Sequence, residues 1–342
     1  MPPRGSAVLD PNLWRWVLTR LEANHPVHLT HVAWHSRHSP GTTGATLAVD
    51  PRGDTAGTIG GGVMEGELIA RAAATLEAWV KSGAARVEVR ELEHRRKASR
   101  GERSGLFCAG RQTNLSYVLG PAKIGEVRRI LALLDADAPG TVVVGPGGLT
   151  LDEERPAALP PLSFEQQGAG FELRAQLLNV KRVAILGGGH CGLALSRVMA
   201  QLGYTVTIFD TRADVFTLQQ NDFATHKIVV EDYAEAGALI RQPEWTHVVV
   251  MSANVDDDIR GLLGVVRGPF PYVGVMGAPA KLTRIRGALR EADVAQEAID
   301  RLYAPIGLPM TSNTPEEIAI SVAAEILRER ERLFPFAAPA PA

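Results

Sequence analysis

Residues 183–195 read VAILGGGHCGLAL, and no other stretch of the chain limits its fold as tightly. Val183 to Leu186 form an apolar run with the character of a buried strand, and the residues after Gly192 have helical character. Between them Gly187, Gly189 and Gly192 fall in the pattern G-x-G-x-x-G. In such a turn the first glycine bends the chain sharply. The second lets backbone approach a pyrophosphate on the helix N-terminus, and the third allows close packing of helix on sheet. Asp210 closes the next predicted strand, Thr205 to Phe209, 23 residues after Gly187. An acid there would hold ribose hydroxyls and would favour NAD over NADP. Gly187, Gly189, Gly192 and Asp210 are therefore candidate cofactor-binding residues, with NAD(P) as the candidate ligand of this half. A Rossmann-shaped domain that binds no nucleotide has the same pattern, and Cys191 inside the turn reads as packing.

The stretch that follows alternates in the same way. Strands are predicted at Lys227 to Val230, His247 to Met251 and Tyr272 to Met276, each reached through a helical or loop segment. Thr314-Pro315-Glu316-Glu317 is a capping box with proline at the first helical position, and Ile318, Val322 and Ile326 give its helix an inward face. Alternation of this kind predicts a doubly wound parallel sheet. It is expected over residues 179–334, with 335–342, rich in Pro and Ala, as a disordered tail.

Residues 1–178 read as a separate α/β domain with a mixed sheet. Asp10-Pro11 starts a helix carrying Trp14, Val17, Leu18 and Leu21. Strands are predicted at His28 to Trp34, Thr46 to Val49, Ala56 to Ile59, Val87 to Leu92, Thr113 to Val118, Thr141 to Val144 and Phe171 to Leu177. A helix after Gly62 has Leu68, Ala72, Leu76 and Val80 on one face, and another runs near Ile124 to Leu134. Residues 93–106 read as an exposed basic loop and Asp152 to Gln167 as irregular. With 36 Lys plus Arg against 38 Asp plus Glu, the net charge is −2, which gives no general attraction to nucleic acid or to an anionic membrane. The two cysteines, Cys108 and Cys191, make no disulfide scaffold, and the N-terminus lacks a signal-peptide core, so a cytoplasmic protein is expected.

Two features of this first half point to chemistry. Gly60-Gly61-Gly62 joins a short strand to a helix, exposing backbone N–H groups that suit a phosphate or another anion, and Glu65 follows in the first turn. A tight connection with a dipole-favoured acid accounts for the same residues. Cys108, in SGLFCAG, follows His94, Arg95, Arg96, Lys97, Arg100 and Arg103, neighbours that lower a thiol pKa and could grip a phosphate. A solvated loop and a small buried thiol are the plainer alternatives. Of nine histidines, five fall between residues 25 and 38: His25, His28, His31, His35 and His38. A strand scatters them over both faces, which argues against a shared metal.

In combination these segments resemble the xanthine dehydrogenase accessory protein family, the XdhC/CoxI family. The resemblance is carried by GATLAVDPRGDTAGTIGGGVMEGELI (Gly44 to Ile69), GLFCAG (Gly105 to Gly110) and VAILGGGHCGLALSRVMAQLGYTVTIFDTR (Val183 to Arg212). YVGVMGAPAK (Tyr272 to Lys281) and YAPIGLPMTSNTPEEIAISVAAEIL (Tyr303 to Leu327) complete it. Membership implies a cofactor chaperone rather than a turnover enzyme. Such a protein binds the molybdenum cofactor (molybdopterin) transiently, protects it while a cysteine desulfurase supplies sulfur, and inserts it into an apo molybdenum hydroxylase of the xanthine dehydrogenase kind. It implies a homodimer, and it implies Gly60, Gly61, Gly62, Glu65 and Cys108 as cofactor contacts, with Cys108 near molybdenum or its sulfur.

The sequence also departs from the family. Gly41 in HSPGTTGA stands where an Arg is common, and the Cys-Gly-Gly element reads Cys108-Ala109-Gly110. Ala253 and Val255 replace common histidines, and Ala278, Pro279 and Ala280 replace Ser-Arg-Arg, removing candidate phosphate ligands. The alternative function is an NAD-dependent oxidoreductase, for which His226, Tyr233 or Lys281 would have to serve as proton donor.

Overall fold

The computed structural model describes residues 9–36, 38–83, 87–93, 102–103, 110–154, 160–168, 170–311 and 314–334. The chain divides into two compact units, one reaching Leu178 and the other spanning Asn179–Leu333, with Phe334 grouped with the first.

The first unit opens with helix α1 (Pro11–Glu22), whose Asp10 side chain accepts the Asn12 amide at 2.9 Å. Then come strands β1 (Val27–His35), β2 (Thr46–Val49) and β3 (Thr55–Thr58), helix α2 (Gly62–Ser82), and strands β4 (Glu88–Glu93), β5 (Glu102–Arg103) and β6 (Arg111–Leu119). Helix α3 (Ile124–Ala136) and strands β7 (Thr141–Gly145), β8 (Gly148–Asp152), β9 (Leu162–Gln167) and β10 (Gly170–Gln176) complete it. One sheet has the order β3-β2-β1-β6-β4-β5, antiparallel except where β4 meets β5; a second is β8-β7-β10-β9. Period-two alternation sends Leu29, Leu115 and Tyr117 into a core with α1, α3 and the second sheet. It sends Val32, Leu47 and Val49 to the opposite face, where they pack with Met64 and Ala72 of α2.

Three expectations fail here. Asp152 to Gln167 is not wholly irregular, because Leu162–Gln167 pairs with β10, burying Leu162 and Phe164. Glu93 is not in an exposed loop but ends β4 and is buried. Val80 is 65% exposed, since a four-residue step drifts by about 40° and the two steps from Ala72 carry it about 80° off that residue's direction.

The second unit has a five-stranded parallel sheet in the order β13-β12-β11-β14-β15, from β11 (Arg182–Leu186), β12 (Thr205–Asp210), β13 (His226–Val229), β14 (Thr246–Val250) and β15 (Tyr272–Val275). That is the order of a dinucleotide-binding sheet without its sixth strand, with the reversal between β11 and β14. Its helices are α4 (His190–Gln201), α5 (Phe216–Gln219), α6 (Ala236–Leu239), α7 (Val255–Val265), α8 (Pro279–Glu291), α9 (Gln296–Asp300) and α10 (Pro315–Leu333). The capping box at the start of α10 is reciprocal: the Thr314 amide donates to Glu317 Oε2 at 3.1 Å and the Glu317 amide to Thr314 Oγ1 at 3.2 Å. Val322 and Ile326 are fully buried against the face that holds Leu195 and Met199 of α4. Among the described residues no helix is long and apolar enough to cross a membrane.

Candidate functional site

In the first unit the triple glycine forms a bend that only glycine adopts easily, with φ of 127°, 74° and 69° at Gly60, Gly61 and Gly62. Gly60 and Gly62 are exposed and Val63 is 57% exposed, so the bend lies open at the start of α2. Glu65 folds back into it. One carboxylate oxygen accepts from Thr58 Oγ1 at 2.7 Å, the Ile59 amide at 3.1 Å and the Gly61 amide at 3.0 Å. The bend thus carries an internal anion, while the first-turn amides of Gly62, Val63 and Met64 have no carbonyl a turn earlier within the helix.

Two other segments of the chain meet this bend. A Cβ on Gly60 would lie 2.8 Å from the Gly41 nitrogen, and one on Gly41 would lie 2.2 Å from the Ile59 oxygen. A Cβ on Gly110 would lie 2.5 Å from the Ser39 nitrogen. The segment His38–Gly41 is therefore clasped between the bend and the end of the Gly105–Gly110 element. The absence of an Arg at position 41 has a local reason, since no side chain fits there without moving the Ile59 carbonyl and the Gln112 side chain. Gln112, 1% exposed, ties the pieces together: its Nε2 donates to the Ile59 oxygen at 3.3 Å and to Asn114 Oδ1 at 2.7 Å, and its Oε1 accepts from Ser39 Oγ at 3.0 Å. Arg111 beside it lies with its guanidinium 5.8 Å from the Trp34 ring centre. Cys108 and the cluster from His94 to Arg100 lie outside the described residues, and of Arg103 only its place on β5 is given.

The histidines serve the sheet. His31 is buried, with Nδ1 2.7 Å from Thr46 Oγ1 and Nε2 2.8 Å from Tyr117 Oη; burial lowers its pKa to about 3. His35 Nδ1 accepts the Thr43 amide at 2.8 Å.

In the second unit the glycines act as the pattern requires. Gly187 has φ of 126° and a Cβ there would strike the Met251 oxygen at 2.4 Å; at Gly192 it would lie 2.1 Å from the Gly187 oxygen. Around Gly189 nothing lies within 4 Å, so its face of the turn is open. Asp210 is where the pattern places it, but its carboxylate is fully buried and engaged. It accepts the Gly188 amide at 2.7 Å and pairs with Arg212 at 2.9 Å. Although burial opposes ionisation, the hydrogen bonds from Arg212 and Gly188 hold its carboxyl below the usual range. No oxygen of Asp210 is left for a ribose in this arrangement. Of the proton donors an oxidoreductase would need, Lys281 is paired with buried Asp258 and Tyr233 is buried with its hydroxyl on Asp210. His226 stands on edge strand β13. Cys191 packs beside Leu195, and burial raises its thiol pKa, so it is no thiolate at neutral pH.

The sequence reading missed Ser39, Gln112 and Asn114. For Gln112 and Asn114 the signal was present as polar residues at every second position of β6, and the usual rule assigns such residues to solvent; for Ser39, in the segment between β1 and β2, the sequence carries none.

Comparison with known proteins covers both units. Residues 183–326 match the family description "XdhC Rossmann domain", and residues 20–87 match "XdhC and CoxI family". A stretch of 148 residues is 31% identical to the uncharacterised protein YqeB of Escherichia coli (strain K12). That stretch is 43% of this chain and 27% of YqeB, so the chain spans about a quarter of the length of this curated relative. A crystal structure described as a xanthine dehydrogenase from Bacillus halodurans superposes over 92% of this chain and 95% of its own, with a TM-score of 0.67 and 19% identity, which shows a shared fold.

Proposed function

Since the chain belongs to the XdhC family, we propose that it is an accessory factor in the maturation of a molybdenum hydroxylase of the xanthine dehydrogenase kind. In this reading the molybdenum cofactor is cargo. The first unit receives it at the triple-glycine bend, shields it while a cysteine desulfurase supplies sulfur, and releases it to the apo-enzyme. The observation that carries the reading is the convergence of three sequence elements distant in the chain. The bend at Gly60–Gly62, the segment His38–Gly41 and Gly110 pack backbone against backbone at an exposed helix N-terminus. Such a terminus attracts phosphate through its amides and its dipole.

The residues present suit an anionic cargo in part. The amides of Gly62, Val63 and Met64 can receive a phosphate directly, whereas those of Ile59 and Gly61 are held by Glu65 and become available only if that carboxylate swings away. Cys108, two residues before the clasped Gly110, is the soft ligand this reading requires near molybdenum. The engaged carboxylate of Asp210 speaks against the oxidoreductase alternative.

The test is to purify the protein from molybdate-supplied cells, oxidise it and read pterin fluorescence. A parallel assay measures xanthine dehydrogenase activity on co-expression with a client. Pterin in the wild type, with loss of client activation in Cys108→Ala, is the expected result. Absence of pterin together with no gain of client activity would end the proposal.

A further inference from the structure

In the second unit the glycine turn and the end of β12 stand side by side. Leu186 pairs with Phe209 in the parallel register, and the Gly187 amide donates to the Phe209 oxygen at 2.9 Å, which sets Asp210 beside the turn. The Asp210 side chain is wholly buried. Oδ1 accepts from the Arg212 amide and from Arg212 Nε, both at 2.9 Å; Oδ2 accepts from the Gly188 amide at 2.7 Å and from Arg212 Nη2 at 3.1 Å. A carboxylate at the end of this strand ordinarily selects NAD, because it accepts from the ribose hydroxyls and its charge repels a 2′-phosphate. Here it does neither. Both oxygens are engaged inside the protein, and the guanidinium lying on it neutralises its charge.

What the strand end presents in place of an acid is a cation. The Arg212 side chain is 47% exposed, and its Nε and one Nη2 hydrogen are turned to Asp210. Both hydrogens of Nη1 and the second of Nη2 have no partner among the described residues, and together they form the outer edge of the fork. That edge fits two oxygens of a phosphate. Asp257, the next carboxylate whose charge acts on Arg212, is itself paired with Arg260, which also reaches Asp232 at 3.5 Å. The turn beside it is clear as well. Gly189, at the start of α4, has nothing within 4 Å of its Cβ position, and the first turn of α4 has neither an acid nor a capping side chain. The bend of the first unit differs, since Glu65 occupies it.

We propose that the second unit binds a dinucleotide bearing a 2′-phosphate, NADP(H) in preference to NAD(H), and that Arg212 makes the choice. The 2′-phosphate would take the outer edge of the Arg212 fork, and the pyrophosphate the open turn at Gly189. The preference is the reverse of the one that Asp210 alone implies. Such a nucleotide would be held by the second unit, so its binding neither needs nor supports the cargo reading of the first.

The experiment titrates the full chain by calorimetry with NADP+ and with NAD+. A second pair, adenosine 2′,5′-bisphosphate and 5′-AMP, isolates the contribution of the 2′-phosphate. Saturable binding of NADP+ is expected, about tenfold or more tighter than NAD+, with the same order in the shorter pair. Arg212→Ala removes the cation and its fork; Arg212→Gln removes them but keeps one N–H donor for Asp210, and so tests the same point if the alanine variant does not fold. Each is expected to weaken NADP+ about tenfold or more and to change NAD+ by less than about threefold, so that the preference disappears. No saturable binding of NADP+, NAD+ bound as tightly as NADP+, or an unchanged preference in a folded variant overturns the proposal. NADP+ binding in a protein that never carries pterin from cells upholds it and counts against the cargo reading alone.

Discussion

Glu65 is the residue on which the shape of the triple-glycine bend depends, and removing its carboxylate tests that directly. In Glu65→Ala three donors lose one acceptor: the Thr58 hydroxyl and the Ile59 and Gly61 amides. A buried hydrogen bond to a charged group is worth about 1.5–3 kcal/mol, but Glu65 is half-buried and water replaces part of each contact. Loss of a capping interaction costs about 0.5–2 kcal/mol, and loss of an acid from a helix's first turn about 0.3–1 kcal/mol. A net loss of about 2 kcal/mol follows, and for a unit of this size a Tm lower by about 4–8 °C. Glu65→Gln keeps the acceptor oxygen without the charge and should lose about half as much. Circular dichroism melts give the stability, and amide hydrogen exchange at Ile59 and Gly61 gives the local effect. In Glu65→Ala inorganic phosphate should raise Tm more than in the wild type, because an added anion can then occupy the vacated position. A loss below about 0.5 kcal/mol, with exchange at both amides unchanged, would refute the reasoning.

The buried histidines set an acid limit on both units. The folded-state pKa values of His28 (about 4) and His31 (about 3) in the first unit, and of His247 (about 4) in the second, lie below the ordinary value of 6.5. The unfolded chain therefore binds protons that the folded chain refuses. Stability is full above pH 6.5 and falls as pH drops towards 4, by up to about 1.4 kcal/mol per pH unit for each histidine. Calorimetric melts between pH 7 and pH 5 should show this, and an unchanged Tm across that window would contradict it. In the glycine turn of the second unit, Gly192→Ala places a methyl 2.1 Å from the Gly187 oxygen and should cost about 2–3 kcal/mol by urea unfolding. Gly189→Ala meets nothing within 4 Å and should change stability by less than about 0.5 kcal/mol; equal losses in the two variants would mean that the turn is not packed as described.

The second unit was legible in the sequence because its information is local. Each parallel strand is a short apolar run, each connection includes its own turn chemistry, and the capping box before α10 names both partners within four residues. Asp210 marks the limit of that reading. Its place at the end of β12 follows from spacing, but its engagement by Arg212 and by the Gly188 amide depends on how two strand ends and a turn meet. In the first unit most strands were readable and their order was not. The strand β6 enters between β1 and β4, and its pairing with β1 joins residues as far apart as Val27 and Leu119. The strands β8 and β9 were hidden by glycine, proline and glutamate in the segments around them.

The polar row of β6 shows why a site can escape a correct reading of the fold. Alternation in Gln112-Thr113-Asn114-Leu115-Ser116-Tyr117 identifies two faces, and the hydrophobic rule then sends the amides and the hydroxyl outward. Here both faces are covered, Leu115 and Tyr117 by the core with α1 and the polar set by α2, so polarity ceases to report exposure. A sheet face that must only be stable fills such positions with Val or Ile. Keeping Asn114 and His28 buried with unmatched atoms imposes a cost on the folded state, and the structure offsets it for Gln112, which holds Ser39 and the Ile59 carbonyl, and not for those two. In the row itself Gln112 and Ser116 find their partners within the protein, and of its members only Asn114 keeps an unmatched atom among the described residues.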